Sequence, residues 1–430
     1  MQQPFYAIHT NRGQVMIIAC LFFLAASAAI SAAAAGPALR RAASARAFAD
    51  ARQGLYTISS ASEDVAYRKI KGLAVGDSES LTVGGVTATA IITAVSGGQE
   101  VNTSASGARF TRKSRVHLAQ GAGASFNYGM QAGAGGIDLL NTTSILGNVY
   151  SNGPVTGENR NVVKGTVVSA GPAGLIDRVH ATSTAYAHTI RDSDIDGDAY
   201  YQTISGTTVD GALHPGSADQ ATSSLAISDA QIADWEADAL AGGTVSAPCP
   251  YKIDINTTIG PKKINCDLEI TNDPVVTLGG ALWVSGNITI KNTAIVRVSS
   301  SLGNTSVPVI ADKPTNQTTS SKIELQNSAV FQGSGSTGSY VLMISQNKSA
   351  EQGGSETAID LKNSVDGALL VYAPHGEVLI QDSVNVKEAS GYRIRLKNSA
   401  EVKYETGLAN LIFTSGPSGG YTIDSWKEVE

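Results

Sequence analysis

The sequence predicts a mainly β protein: a long N-terminal helix, a small antiparallel meander, and then a right-handed parallel β-helix with a helical insertion. Three observations carry this. One phrase recurs along the second half: Ile288-Thr289-Ile290-Lys291-Asn292, Ile323-Glu324-Leu325-Gln326-Asn327, Ile359-Asp360-Leu361-Lys362-Asn363 and Ile394-Arg395-Leu396-Lys397-Asn398. Its asparagines are 35, 36 and 35 residues apart. A weaker copy, Val378 to Asn385 with Asp382 in the asparagine's place, falls between two of them, and Leu268 to Asn272 stands 20 residues before Asn292. The unit is therefore about half of 35, a length at which aliphatic repeats stack as a solenoid.

Within the phrase, alternation at period two sends Ile394, Leu396 and Ala400 to one side and Arg395, Lys397 and Ser399 to the other. An asparagine at one place in every repeat (Asn272, Asn292, Asn327, Asn363, Asn398) reads as a ladder of amides bonded along the stacking axis. The competing reading is that Asn-Ser and Asn-Thr are simply good turn formers.

Composition agrees with many short strands and tight turns. The 430 residues include 45 glycines, with 16% charged and 6% aromatic residues. A net charge of −6 without a basic patch excludes nucleic acid as a partner. Of the three cysteines, Cys20 lies in an apolar run, whereas Cys249 and Cys266 enclose a short Pro-containing loop. Outside the cytosol those two are expected to pair.

Val15 to Ala35 is 21 residues without a charge, long enough to span a bilayer. Its first half, with Val15, Ile17, Ile18, Leu21, Phe22, Phe23 and Leu24, is strongly apolar; its second is nearly all Ala and Ser. A signal peptide leaving at Ala32 to Ala35, a plain membrane anchor and an assembly helix all fit the run itself. Residues 37 to 71 continue a helical stripe through Leu39, Ala43, Ala47, Ala51, Leu55, Ile58, Val65 and Ile70, with a kink expected at Pro37. The whole rod, 14–71, would be roughly 85 Å long. Four arginines follow the span and only Arg12 precedes it, against a positive-inside count.

The segment Asn11-Arg12-Gly13-Gln14-Val15-Met16-Ile17-Ile18 resembles the start of a type IV minor pilin of the PilX type. The resemblance implies a leader, 1–13, removed by a prepilin peptidase after Gly13, with Gln14 as the mature N-terminus. Major pilins carry a glutamate at the fifth mature position; Ile18 stands there, and PilX-type proteins often lack that glutamate.

Beyond the helix, residues 72–120 are expected to form a small β meander, with Leu81 to Val83, Val86 to Val95 and Arg112 to Leu118 as strands and Gly84-Gly85 and Gly97-Gly98 as turns. The β-helix is assigned to 121–430, with Ile137 to Thr143 as the first echo of its repeat. Residues 214–250 interrupt it. Ser228 to Ala241 reads as a helix capped by Ser228, with Ala230, Ile232, Trp235 and Leu240 as its apolar side and Gly242-Gly243 as its stop. The terminal Trp426-Lys427-Glu428 reads as a charged cap on the last repeat. The order of these pieces, down to Glu405-Thr406-Gly407-Leu408-Ala409-Asn410, is similar to large bacterial surface proteins that join a PilX-type N-terminus to a β-helix.

Two stretches are candidate sites. Asp192, Asp194, Asp196 and Asp198 match the first half of an EF-hand loop, which makes Ca²⁺ a candidate ligand. Thr203 occupies the place of the closing glutamate, and the flanks read as strands. Pro374-His375-Gly376-Glu377 and Tyr392-Arg393 stand about one repeat apart, the kind of grouping a polysaccharide-cleaving β-helix needs. The paired aspartates of such enzymes do not precede the histidine, so the chain is expected not to be an enzyme and to need no cofactor.

The resemblance implies a non-enzymatic, extracytoplasmic surface protein held by its membrane helix. It would be a minor pilin or pilus-associated subunit with other pilin subunits as partners, presenting its β-helix to surface polysaccharide or to a host or cell surface. The alternatives are a membrane-anchored β-helix adhesin outside any filament, and a polysaccharide-active enzyme.

Overall fold

A computed structural model describes the chain except residues 1–11, 71–74, 96–97, 122, 125, 159, 406–407, 409–410, 414–419 and 430. Most of the leader and four residues of the 405–410 phrase thus lie outside the described residues. The expected long helix is present: α1 (Arg12–Ile70) runs 59 residues straight through Pro37, about 88 Å at 1.5 Å per residue. Pro37 therefore does not end the helix.

The second half of α1 packs on a five-stranded antiparallel sheet. β1 (Ser78–Val83), β2 (Val86–Val95), β3 (Gly98–Gly107) and β4 (Phe110–Gly121) form its meander. Gly84 and Gly85 both have positive φ, which the two-residue β1–β2 turn requires. Small residues let helix and sheet approach: Ile58, Ala61, Val65 and Ala66 of α1 are buried against Ala88, Ala90, Val101, Ala105, Val116 and Leu118. At Gly54 an added Cβ would lie 2.4 Å from the Phe110 ring. Ser62 reaches Thr103 and Ser114, each at 2.8 Å, which satisfies three buried hydroxyls. The fifth strand is Gly420–Val429, paired antiparallel with β4 so that Trp426 stands opposite Val116. The terminal residues are therefore no cap on the last repeat. Their alternation fits the open edge of the meander, where Arg112 and Glu428 pair at 2.8 Å.

Nearly all remaining strands lie in parallel sheets, each strand pairing with one of a following repeat. Ile253, Ile270, Ile290, Leu325, Leu361, Ile380, Leu396 and Leu139 stand one above the next. None is more than 3% exposed. A neighbouring column runs Leu268, Ile288, Ile323, Ile359, Val378, Ile394, Ile137, Val155, Ile176, Ile190, Ile204. Between these two columns the outward positions are polar except at Leu379, as the alternation requires.

The order along these columns is not the chain order. The strand Glu388–Leu396 pairs parallel with Met130–Leu139, and Glu401–Lys403 pairs with Ser144–Leu146. Residues 130–215 thus form one half-stack and 244–403 the other, joined at a seam where the end of the second meets the start of the first. The chain returns from the free end of the first half, past the seam, to the free end of the second through 216–243. On the way Tyr150 donates to the Ala221 carbonyl, Asn152 to that of Ser223 at 2.7 Å and Gln131 to that of Ser224 at 2.8 Å.

Helix α2 (Asp229–Ala241) lies on this return. Ser228 caps it reciprocally with Gln231, its hydroxyl accepting from the Gln231 N–H at 3.3 Å and its N–H donating to the Gln231 side chain at 2.9 Å. Gln231, Ile232, Trp235 and Ala239 are buried, whereas Ala230 and Leu240 point outward. Trp235 stacks on Phe413 at 4.7 Å between centroids, and together with Phe126, Tyr340, Tyr372 and Leu408 it makes a second core outside the sheet wall.

Candidate functional site

The first candidate site is the exposed half of α1. Met16, Ile17, Ile18, Leu21, Phe22, Phe23 and Leu24 are 60–76% exposed and run along a helix long and apolar enough to cross a membrane. Gly13, Gln14 and Val15 fall in its first turns. At the other end α1 is fixed: Arg68 pairs with Asp64 at 2.8 Å and with Glu79 at 3.3 Å. A hydrogen bond from the Gly76 N–H, then Arg68, holds the Glu79 carboxyl below its usual range. One helix therefore has a docked half and a half whose large apolar side chains meet none of the chain's own core.

The asparagine row serves two purposes at once. Asn272, Asn292, Asn327, Asn363 and Asn398 all have φ between 55° and 66°, the left-handed turn conformation that asparagine tolerates. Amide bonds run from Asn363 to Asn327 and from Asn398 to Asp382, both at 2.9 Å. The neighbouring backbone continues the row: the N–H groups of Ser328, Ser364, Ser383 and Ser399 donate to the carbonyls of Asn363, Asp382, Asn398 and Asn141. At the start of the second half-stack Thr293 bonds Asp273 at 2.6 Å beside Asn292 and Asn272. Cys249 and Cys266 form a disulfide across the first two repeats there, with Cα atoms 5.9 Å apart.

The four aspartates do not converge. Asp192 takes the left-handed turn position at φ 48°, and Asp198 accepts from the Ala212 N–H at 2.8 Å. Asp194 and Asp196 point outward beside His180, with the three side chains' donor atoms within 4.8 Å of one another. His180 Nε2 lies 3.1 Å from Asp196. An EF-hand needs its acids on one looping backbone; here consecutive acids alternate between turn, outer face and repeat junction. Two carboxylates and an imidazole are not the oxygen cage of a Ca²⁺ site.

The histidine segment divides. His375 is held between Glu351 at 2.6 Å and Asp229 at 3.1 Å, tying the start of α2 to the wall. Glu377 instead meets Arg395 at 3.4 Å and Arg393 at 3.6 Å, and Arg393 reaches Asp138 at 2.6 Å. This network crosses the seam, binding one half-stack to the other.

Two buried acids escape a sequence reading. Glu388 is fully buried under the second core, where burial raises its carboxyl well above the usual range. One of its oxygens accepts from Ser390 and the other has no partner among the described residues. On α2 itself, desolvation and then the neighbouring Asp312 push the half-buried Glu236 up to about 8. Lys-Glu-Ala-Ser and Trp-Glu-Ala-Asp read as ordinary polar stretches, and only the covering segments make them interior.

No protein-family model and no curated protein matches the chain. Among solved structures, the competence-associated pilin ComZ from Thermus thermophilus is similar at 10% identity, over 88% of this chain and 97% of that one, with a TM-score of 0.21. A likeness of that size carries no argument about fold or function.

Proposed function

We propose that this chain is a non-enzymatic cell-surface subunit, a minor pilin or pilus-associated protein of PilX-like type, whose parallel sheets are the faces of one β-helix. Parallel crossovers of this kind are right-handed in nearly all proteins, which gives the β-helix its hand. The observation that carries the role is the division of α1. Its second half is buried against the chain's own sheet, while Met16 to Leu24 stay exposed on the same helix. A bilayer, and then the packed helices of a filament, supply the missing environment. The leader-like Arg12-Gly13 ahead of that run supports filament entry, with a prepilin peptidase and other pilin subunits as partners. The outer wall of the β-helix would then be an adhesion surface for polysaccharide or another cell.

The ionic groups favour structure over catalysis. His375, Glu377, Arg393 and Asp138 are engaged with one another or with α2. Adhesion by a membrane-anchored protein outside any filament is the second reading, favoured by Ile18 in place of the pilin glutamate. N-terminal sequencing of the protein from the sheared filament fraction tests the first. Gln14 as the first residue, N-methylated, is expected; a retained 1–13 segment or cleavage near Ala35 overturns the filament reading.

A further inference from the structure

We propose that the two free ends of the parallel stack dock onto each other between copies of this chain, extending the sheets head to tail. The end strands are Thr203–Ser205, Thr208–Val209 and Leu213–Pro215 on one side, and Thr244–Val245, Tyr251–Ile253 and Thr257–Ile259 on the other. Among the described residues each of these strands has a parallel register with a repeat on one side alone.

Three observations carry the proposal. First, inward positions lose cover at these ends, most of all on the first: Leu213 is 55% exposed although Ala199, Ala185 and Val167 below it are at 0%, while on the second end Ile253 stays at 3%. Ile204 and Val209 on one end, and Val245 and Tyr251 on the other, are likewise half-buried. Second, the ends match in direction and register, because they terminate the same columns. Ile204 belongs to the column that ends at Tyr251, and Ser205 to the one that ends at Lys252. Third, the chain already makes this contact with itself. At the seam, the upper edge of 388–396 accepts the lower edge of 130–139 with every strand parallel.

The occupant is a second copy because the matching edge lies at this chain's own opposite end. The meander joins the stack at Met130–Leu139, next to the seam and not at either end. Such a contact is heterologous and does not close, so it repeats into a fibre. Pro215 lacks an N–H and leaves one pairing fewer than at the seam.

The test uses the full chain in detergent with Cys20→Ser, as two preparations: one carrying Ser205→Cys, the other Lys252→Cys. Both positions are exposed, and stacked neighbours at roughly 4.8 Å are within disulfide reach. On mild oxidation the mixture should yield a linked peptide joining positions 205 and 252, with neither preparation doing so alone. Adding Ile204→Lys and Val209→Lys to the first partner should lower the linked fraction about tenfold or more, since an unpaired ammonium would be buried, with the melting curve retained. Absence of the 205–252 peptide up to the solubility limit overturns the proposal. So does linkage of either preparation with itself at equal yield, which would mark association through α1. The docking of the ends does not depend on the proposed role of α1, and its failure leaves the N-terminal sequencing result unaffected.

Discussion

Replacing Glu388 with Gln should stabilise the protein above pH 5, by an amount that grows with pH. Glu388 is fully buried, its carboxyl is raised well above 4.5, and one oxygen is unpartnered among the described residues. In the unfolded chain it ionises freely; in the fold it stays protonated. At pH values below 4.5 both states hold the proton and the group costs nothing. As pH rises, the unfolded state gains the free energy of ionisation and the folded state does not, so stability falls by about 1.4 kcal/mol per pH unit until the folded value is reached. For each pH unit between the ordinary and the folded value, the wild type should thus lose about 1.4 kcal/mol relative to Glu388→Gln, compared with their difference at low pH. The amide keeps an acceptor for Ser390 and cannot ionise. Denaturant titrations of both proteins in detergent across this pH range give the difference, in which every other titrating group cancels. A flat difference would refute the reasoning, because it would mean that Glu388 ionises as easily in the fold as outside it.

Two further outcomes follow from the repeat turns and the first repeats. Asn363→Gly should be nearly neutral, while Asn363→Val should cost about 1–2 kcal/mol, because φ 57° penalises a branched side chain more than loss of one exposed amide bond does; equal losses in thermal melts would instead mean that the Asn327–Asn363 bond matters more than the backbone conformation. Reducing Cys249–Cys266, which are 17 residues apart, should remove roughly 3 kcal/mol of loop-closure stabilisation from the start of the second half-stack. Limited proteolysis with and without reductant should then cut first near Ala247–Ile255.

Much of this architecture was legible because alternation and stacking are local and repetitive. Leu325, Leu361 and Leu396 fall in one column because each follows an isoleucine by two residues and precedes an asparagine by two. The capped helix at 229–241 was legible from Ser228 and Gly242. The seam was not. Ile137-Asp138-Leu139 resembles every other copy, so nothing in it says which copy it will lie against; the return of 216–243 decides that. The strand Gly98–Gly107 was hidden because Asn, Ser and Thr fill it in place of the usual aliphatics. The aspartate run misled for a related reason: spacing shows that acids alternate, not that the backbone loops to gather them.

The seam also determines how the molecule carries load. The covalent path from α1 enters the first half-stack through β4, while the second half-stack leads out into Gly420–Val429, which lies antiparallel beside β4. Tension arriving along the helix therefore divides between two routes, one through the peptide bonds at 121–130 and one sheared across the β4 ladder. A pull on either half would strain many hydrogen bonds together instead of peeling the wall apart strand by strand.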